Sequence, residues 1–177
     1  MLVVALSVVT ASAQIELGVN GGILSPTGDF GKAYKTAFGG GISGEYLVAP
    51  SIGIGLSVGY YSFKDKGGDT NLGFIPVALN GRYYFINEGS IKPYGQLDLG
   101  LYTFRTPAYT EDFGMGTIDI AASSTSKFGL APVIGIQFGL SNALALDINV
   151  KYNHIFTDGS ATGMLGANIG LIFTIGK

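Results

Sequence analysis

Cysteine is absent from this chain of 177 residues, and histidine occurs once, at His154. Neither a disulfide nor a thiolate metal site is therefore possible, and a single histidine is a poor basis for a transition-metal site. Charge is scarce as well, because Asp, Glu, Lys and Arg make up 12% of the residues, about half of the usual share in soluble domains. The net charge is −2 without a basic block, so no nucleic acid partner is expected.

Long apolar runs are missing too, apart from "MLVVALSVVTASA" at residues 1–13. That run is shorter than the ~20 residues of a membrane-spanning helix. It ends in Ala11-Ser12-Ala13, the small-x-small pattern of a signal-peptidase site. We therefore expect a signal peptide over 1–13, export, and one mature domain over 14–177. Because no Lys or Arg precedes the run, a longer signal and an unusual strand remain alternatives.

Glycine and alternating apolar residues are abundant: there are 29 glycines, 47% hydrophobic residues and a mean hydropathy of +0.39. Apolar side chains recur at every second position, which is typical of β-strands, and no helix of any length is indicated. Eight such segments cover residues 15–24, 37–49, 52–63, 72–86, 93–105, 127–140, 143–156 and 164–176. Long and short connectors alternate between them, which predicts an all-β fold, a closed antiparallel up-and-down barrel of eight strands.

Each predicted strand has two faces of different chemistry. One face is apolar and carries no charge, as at Leu97, Leu99 and Ile148. The other consists mostly of glycine, alanine and small polar residues, and its six charges are Glu16, Glu45, Arg82, Asp98, Asp147 and Lys151. A water-exposed surface needs about a quarter to a third charged residues, and an eight-stranded barrel is too narrow to enclose the bulky apolar set. The apolar face is therefore predicted to contact membrane lipid, and the six charges to line the lumen.

The six inward charges are expected to form a structural network, because charges in so narrow a space must be paired. The first hairpin places Glu16 opposite Glu45, and the turn after the fourth strand places Arg82 near Gln96 and Asp98. A small path for protons or ions is the functional alternative.

Two local motifs resemble ligand-binding sequences, but neither is expected to bind a ligand. Gly39, Gly41 and Gly44 match G-x-G-x-x-G, but they lie in a predicted strand that no helix follows, so a nucleotide site is not expected. The acids in "KDKGGDT", residues 64–70, do not have the spacing of a calcium loop.

His154 raises the question of an enzyme, because Asp158 and Ser160 follow it closely. A nucleophile needs a base beside it and an acid that orients the base. His154, however, has the same parity as Tyr152 and is predicted to face lipid. We therefore predict no catalytic, cofactor-binding or metal-binding residue.

Three stretches carry a family resemblance: "FIPVALNGRYYF", the following "KPYGQLDLGLY", and the closing "GANIGLIFTIGK". Over residues 14–177 the chain resembles the small outer-membrane β-barrels of Gram-negative bacteria, of the OmpX and OmpA transmembrane-domain type. Many members end on an aromatic residue, whereas the last aromatic here is Phe173. The resemblance implies an integral outer-membrane protein, inserted by the barrel assembly machinery. It also implies roles in envelope integrity, adhesion, resistance to host defence or, occasionally, lipid chemistry.

The function expected from these features is non-enzymatic, namely a monomeric barrel whose lumen is plugged by side chains and which acts structurally or through its surface loops. The longest loop, 106–126, contains Tyr109, Phe113, Met115 and Ile118 and is expected to contact an extracellular protein or glycan. The alternatives are a narrow channel or small-molecule conduit, a soluble ligand-binding barrel of lipocalin kind, and a lipid-modifying enzyme that uses His154.

Overall fold

The computed structural model describes residues 14–67, 71–112, 117–157 and 161–176. Within these residues the chain forms ten strands and one short helix, α1 (Gly28–Ala33). The strands are β1 (Gln14–Pro26), β2 (Ala37–Ala49), β3 (Ile52–Lys64), β4 (Asn71–Tyr84), β5 (Ile91–Thr106), β6 (Tyr109–Asp112), β7 (Thr117–Ile120), β8 (Ser123–Gly139), β9 (Leu144–Phe156) and β10 (Ala161–Ile175). No helix in this part of the chain is long and apolar enough to cross a membrane.

Eight of the strands close into a barrel in the order β1-β10-β9-β8-β5-β4-β3-β2. Every neighbouring pair is antiparallel, and β1 pairs with β10 from Ile15 opposite Ile175 to Pro26 opposite Met164. Closure leaves no unpaired strand edge, which is the condition for a sheet to survive in hydrocarbon. The predicted eight-stranded up-and-down barrel is therefore confirmed, while the predicted signal peptide, 1–13, lies outside the described residues.

Two elements in the long connectors differ from the prediction. The expectation of no helix is wrong, because α1 follows β1, with Gly28 at φ 60°, Asp29 in its first turn and Lys32 in its last. An acid in the first turn and a base in the last turn both interact favourably with the helix dipole. The Lys32 amine lies 2.8 Å from a carboxylate oxygen of Asp29. In the loop 106–126, β6 and β7 pair as a hairpin. Neither element is long enough to show a period of its own in the sequence.

The two faces of the sheet point as predicted. Leu99 and Ile148 are 40% and 41% exposed on the outer wall, whereas Asp98 and Asp147 are 4% and 5% exposed inside. A water-soluble barrel would have the opposite arrangement, with its apolar side chains inside. Exposed aromatic side chains lie towards both ends of the outer wall, which is the distribution that two membrane interfaces favour. These exposed aromatic residues include Tyr46, Tyr83 and Phe85 near the short turns, and Phe38, Tyr60, Phe128, Tyr152 and Phe156 near the long loops.

Glycine allows β2 and β3 to approach each other closely. A Cβ atom added at Gly39 would meet the carbonyl oxygen of Tyr60, and one added at Gly41 would meet the carbonyl oxygen of Val58. Both glycines lie inside β2, which pairs with a neighbour on each side. The G-x-G-x-x-G match is therefore part of the barrel wall and forms no phosphate-binding loop.

Proline interrupts two ladders without changing their register. Residue pairs are missing between β3 and β4 around Pro76, and between β8 and β9 around Pro132. At each site the proline backbone has no N–H to donate to the neighbouring strand. The same register resumes on either side of each gap. The cost of the two prolines is thus confined to the lost hydrogen bonds, and no bulge forms at either site.

Candidate functional site

The lumen consists of two layers with different chemistry. The layer towards the short turns is polar and contains the six predicted charges, of which Lys151 is half-buried and the others are buried. The layer towards the long loops is apolar, and we call it the apolar plug. Its buried members are Leu24, Ala37, Tyr61, Phe63, Leu72, Phe74, Tyr102, Ile155 and Met164.

Arg82 is the centre of the polar layer. Its Nε lies 3.2 Å from a carboxylate oxygen of Glu45 and donates to the side-chain oxygen of Gln96 at 2.7 Å. Its Nη1 lies 3.9 Å from a carboxylate oxygen of Glu16. The guanidinium carbon lies 4.3 Å from the centroid of the Tyr94 ring, within the range of a cation–π contact. The strand registers account for two of these neighbours, because Glu16 is opposite Glu45 and Arg82 is opposite Gln96.

Tyr84 joins both carboxylates to the cation, and sequence reasoning missed it. Its hydroxyl lies 3.1 Å from a carboxylate oxygen of Glu16 and 3.3 Å from one of Glu45, and the single proton serves one of them at a time. The same oxygen accepts hydrogen bonds from Arg82 and from Gln137, each at 3.0 Å. Strand alternation could have identified it, because Tyr84 is two residues after the inward-facing Arg82 and therefore lies on the same face of β4.

Asp98 and Asp147 are stabilised by neutral donors. The Asn80 and Gln96 amides donate to Asp98 at 2.7 and 2.6 Å. Asp147 accepts from the Tyr94 hydroxyl at 2.8 Å and from the Asn149 amide at 2.7 Å. Amide and hydroxyl donors satisfy a buried carboxylate without neutralising it. The inward set, with four acids and two bases, therefore retains an excess of negative charge.

Lys151 and Asn153 follow each other on the inward face of β9. Within the described residues, no carboxylate oxygen lies within 4.0 Å of the Lys151 amine. Asn153 is fully buried, and its amide has no hydrogen-bond partner among those residues. The next inward residue, Ile155, already belongs to the apolar plug. Asn153 therefore marks the boundary between the two layers.

A small polar cavity remains at the centre of the lumen. It has a volume of about 70 Å³, and its lining includes Ser57, Asn80, Asp98, Asp147 and Lys151. Because about 10–15 Å³ is enough for one water, this polar space is large enough to hold water. A wider vestibule of about 470 Å³, lined in part by Glu16, Lys92 and Gln137, lies at the short-turn end.

The apolar plug separates this cavity from the long loops. The ring of Phe74 stacks on that of Tyr102 with centroids 5.7 Å apart and meets that of Phe63 at 6.0 Å. Phe30 of α1 packs against Phe63 and Phe104, with centroid distances of 5.4 and 5.8 Å. The lumen is therefore filled on the long-loop side by side chains from the barrel wall and from α1.

The remaining candidates for chemistry lie apart from the lumen. His154 is on the outer wall, with ring centroids 6.5 Å from Tyr152 and 5.0 Å from Phe156. Asp158 and Ser160 lie outside the described residues, as do Phe113 and Met115 of the loop 106–126. Among the residues that the structure describes, no group of three His, Cys, Asp or Glu could hold a metal ion.

The same architecture occurs in solved membrane barrels of low sequence identity. Neisserial surface protein A is 17% identical, with a TM-score of 0.62 over 92% of this chain and 97% of that chain. Ail, the attachment invasion locus protein of Yersinia pestis, is 16% identical, with a TM-score of 0.58 over 93% and 98%. A major outer membrane protein from Thermus thermophilus is 15% identical, with a TM-score of 0.66 over 93% and 100%. At these identities the likeness concerns the fold alone.

No curated protein matches the chain. A family model, in contrast, matches residues 1–173, and it describes the outer membrane protein β-barrel domain. This match agrees with the closed sheet, the apolar outer wall and the polar layer of the lumen. The chain therefore belongs to the outer-membrane β-barrel family and resides in the outer membrane of Gram-negative bacteria.

Proposed function

We propose that this protein is a non-enzymatic barrel that passes no solute and acts structurally or through its extracellular loops. The observation that carries the proposal is the filled lumen. Buried hydrogen bonds and ion pairs occupy its polar layer, aromatic rings occupy the apolar plug, and Phe30 covers the plug. The orientation follows the rule that short turns face the periplasm and long loops face outside.

An enzymatic role has little support in the site. A catalytic base must lie within hydrogen-bond reach of a nucleophile in a substrate pocket. His154 instead contacts two rings on the outer wall. The buried carboxylates already accept hydrogen bonds from Tyr, Asn and Gln side chains. The six inward charges are therefore proposed to stabilise the barrel.

The loop 106–126 is the proposed contact surface. It extends from the two longest strands, β5 and β8, and contains the β6–β7 hairpin. The hairpin sequence carries Glu111, Asp112 and Asp119, which disfavours a polyanionic glycan and favours a protein or an uncharged glycan. Ail has been crystallised with the heparin analogue sucrose octasulfate, which supports surface recognition as a use of this fold.

Cell adhesion tests the loop. We expect cells that display the native barrel to adhere to host cells or matrix proteins more strongly than cells with residues 108–121 replaced by a short Gly-Ser turn. A matched control replaces residues 86–89 of a short periplasmic turn instead. Unboiled gel mobility checks that each variant is folded. Equal adhesion by the native and loop-replaced barrels would contradict the surface role.

A narrow channel is the second candidate, because the lumen contains a central polar cavity and a separate polar vestibule at the short-turn end. Planar bilayers separate the two candidates. The filled lumen predicts no conductance steps with the native protein, whereas reproducible steps would favour the channel.

The proposed partners during assembly are the barrel assembly machinery and membrane lipid. A closed sheet has no free strand edge with which to recruit a second copy, so the proposed state is a monomer. Mass measurement in detergent distinguishes a monomer from an oligomer.

A further inference from the structure

A groove with two lysines lies on the outer wall at the extracellular rim. It has a volume of about 640 Å³ and lies where β2, β3 and β4 end. Its lining residues are Lys35, Thr36, Phe38, Ser62, Lys64 and Asn71. The groove therefore belongs to the lipid-facing side of the barrel and is separate from the lumen.

The strand register brings these side chains together. Phe38 is opposite Ser62, and Lys64 is opposite Asn71. The backbone N–H of Lys35 donates to the carbonyl oxygen of Lys64 at 2.9 Å, which places the two lysines side by side. The groove is thus built by paired backbone at fixed positions.

The two lysines are free to meet an anion. Both are exposed, and within the described residues no carboxylate oxygen lies within 4.0 Å of either amine. Lys32, by comparison, lies 2.8 Å from Asp29. Two exposed ammonium groups that line one groove and have no carboxylate partner within the described residues favour a phosphate, for which lysine serves as a point charge.

The wall directly below the groove is apolar. Phe38 is 73% exposed, and Ile42, Val58 and Tyr60 are also exposed on the same face of β2 and β3. A ligand with a charged head and a hydrocarbon chain therefore matches the groove better than a soluble anion, because Phe38, Ile42, Val58 and Tyr60 offer no charge to a second ionic group. Lysines at this depth lie at the level of the lipid headgroups.

We propose that this groove binds the phosphorylated headgroup of a lipid in the outer leaflet. The phosphate lies between Lys35 and Lys64, with the hydroxyls of Thr36 and Ser62 and the amide of Asn71 as hydrogen-bond donors. The acyl chain lies along Phe38. The proposal is independent of the role of the loop 106–126.

Native mass spectrometry of the detergent-solubilised full chain tests the site, with dioleoyl phosphatidic acid as the probe. We expect retention of phosphatidic acid but not of dioleoyl phosphatidylcholine. Replacing Lys35→Gln and Lys64→Gln should weaken binding about fivefold for each lysine removed. The control pair Lys32→Gln and Lys92→Gln removes the same charge elsewhere and should leave binding unchanged. Because Lys32, Lys35 and Lys64 are exposed and Lys92 lines the vestibule at the short-turn end, unboiled gel mobility should stay native.

Three outcomes would overturn the proposal. The first is equal retention of the two lipids by the native chain. The second is equal retention of phosphatidic acid by the Lys35→Gln/Lys64→Gln variant. The third is full displacement of phosphatidic acid by millimolar inorganic phosphate, because the groove would then recognise a soluble anion without its chain.

Discussion

The Nε of Arg82 on β4 lies 3.2 Å from a carboxylate oxygen of Glu45 on β2, although β3 separates the two strands. Gly53 of β3, opposite Arg82, makes this contact possible. A Cβ atom at Gly53 would meet the carboxylate of Glu45, so the missing side chain leaves the space through which Glu45 reaches the cation. The ion pair and the glycine thus form one structural unit.

Removing Arg82 should destabilise the barrel strongly. Arg82→Ala leaves Glu16 and Glu45 buried without their cation, and breaking a buried pair in this way costs about 3–5 kcal/mol. Lys64→Ala, at the exposed rim, should change the free energy of unfolding by less than about 0.5 kcal/mol. Urea titration in lipid-free detergent, followed by unboiled gel mobility, measures both. Equal unfolding midpoints for the two variants would contradict the role assigned to Arg82.

Gly53→Ala should weaken the same ion pair indirectly. The added methyl group displaces the Glu45 carboxylate, and we expect a loss of about 1–3 kcal/mol in the free energy of unfolding. Gly81→Ala on the neighbouring strand is the control, because a Cβ atom there meets nothing within 4 Å. Gly81→Ala should be neutral or stabilising by about 0.5–1 kcal/mol.

A double-mutant cycle checks the mechanism. In a Glu45→Ala background the carboxylate is gone, so Gly53→Ala should cost much less than in the native chain. An undiminished cost in that background would show that Gly53 is needed for a reason other than access of Glu45 to Arg82.

Tyr84→Phe removes only one hydroxyl. That hydroxyl contacts four side chains, those of Glu16, Glu45, Arg82 and Gln137. Because its buried partners then lose a hydrogen bond, we expect a loss of about 1–3 kcal/mol in the free energy of unfolding. Tyr83→Phe is the matched control, since Tyr83 is the adjacent residue on the outer wall. Chemical unfolding of both variants in the same detergent makes the comparison. A Tyr83→Phe effect as large as that of Tyr84→Phe would argue against the hydroxyl contacts.

The sequence was sufficient to predict the barrel, its strand order and the direction of each face. Alternation in segments such as 143–156 allowed this, because a strand has only two faces and bulk decides which one is inside. The contact between Arg82 and Glu45 was not predictable in the same way. It depends on the curvature of the wall and on side-chain reach across β3, and pairing rules describe neighbouring strands only.

A lumen plugged by side chains was expected, but the apolar and aromatic composition of the plug was missed for a different reason. Phe63 and Phe74 have inward parity, but strand-forming aromatic residues occur on both faces of the barrel, as Tyr60 and Tyr83 show on the outside. Residue type alone therefore does not separate a girdle from a plug. Helix α1 was missed because six residues give no measurable period, and its position depends on Phe30 packing on rings that are distant in sequence.

The plug should control access to the central cavity from outside the cell. The chain has no cysteine, so a single Ser57→Cys substitution reports on the cavity that Ser57 lines. In intact cells, a small membrane-impermeant thiol reagent should label this cysteine slowly. Adding Phe30→Ala and Phe74→Ala removes one partly buried and one fully buried ring, the latter worth about 3–5 kcal/mol, and labelling should become more than about tenfold faster. Ser124→Cys, at the exposed end of β8, should react equally fast in both backgrounds. Fast labelling at Ser57→Cys with the plug intact would mean that the rings do not seal the lumen, and the proposal of a barrel closed to solutes would then be wrong.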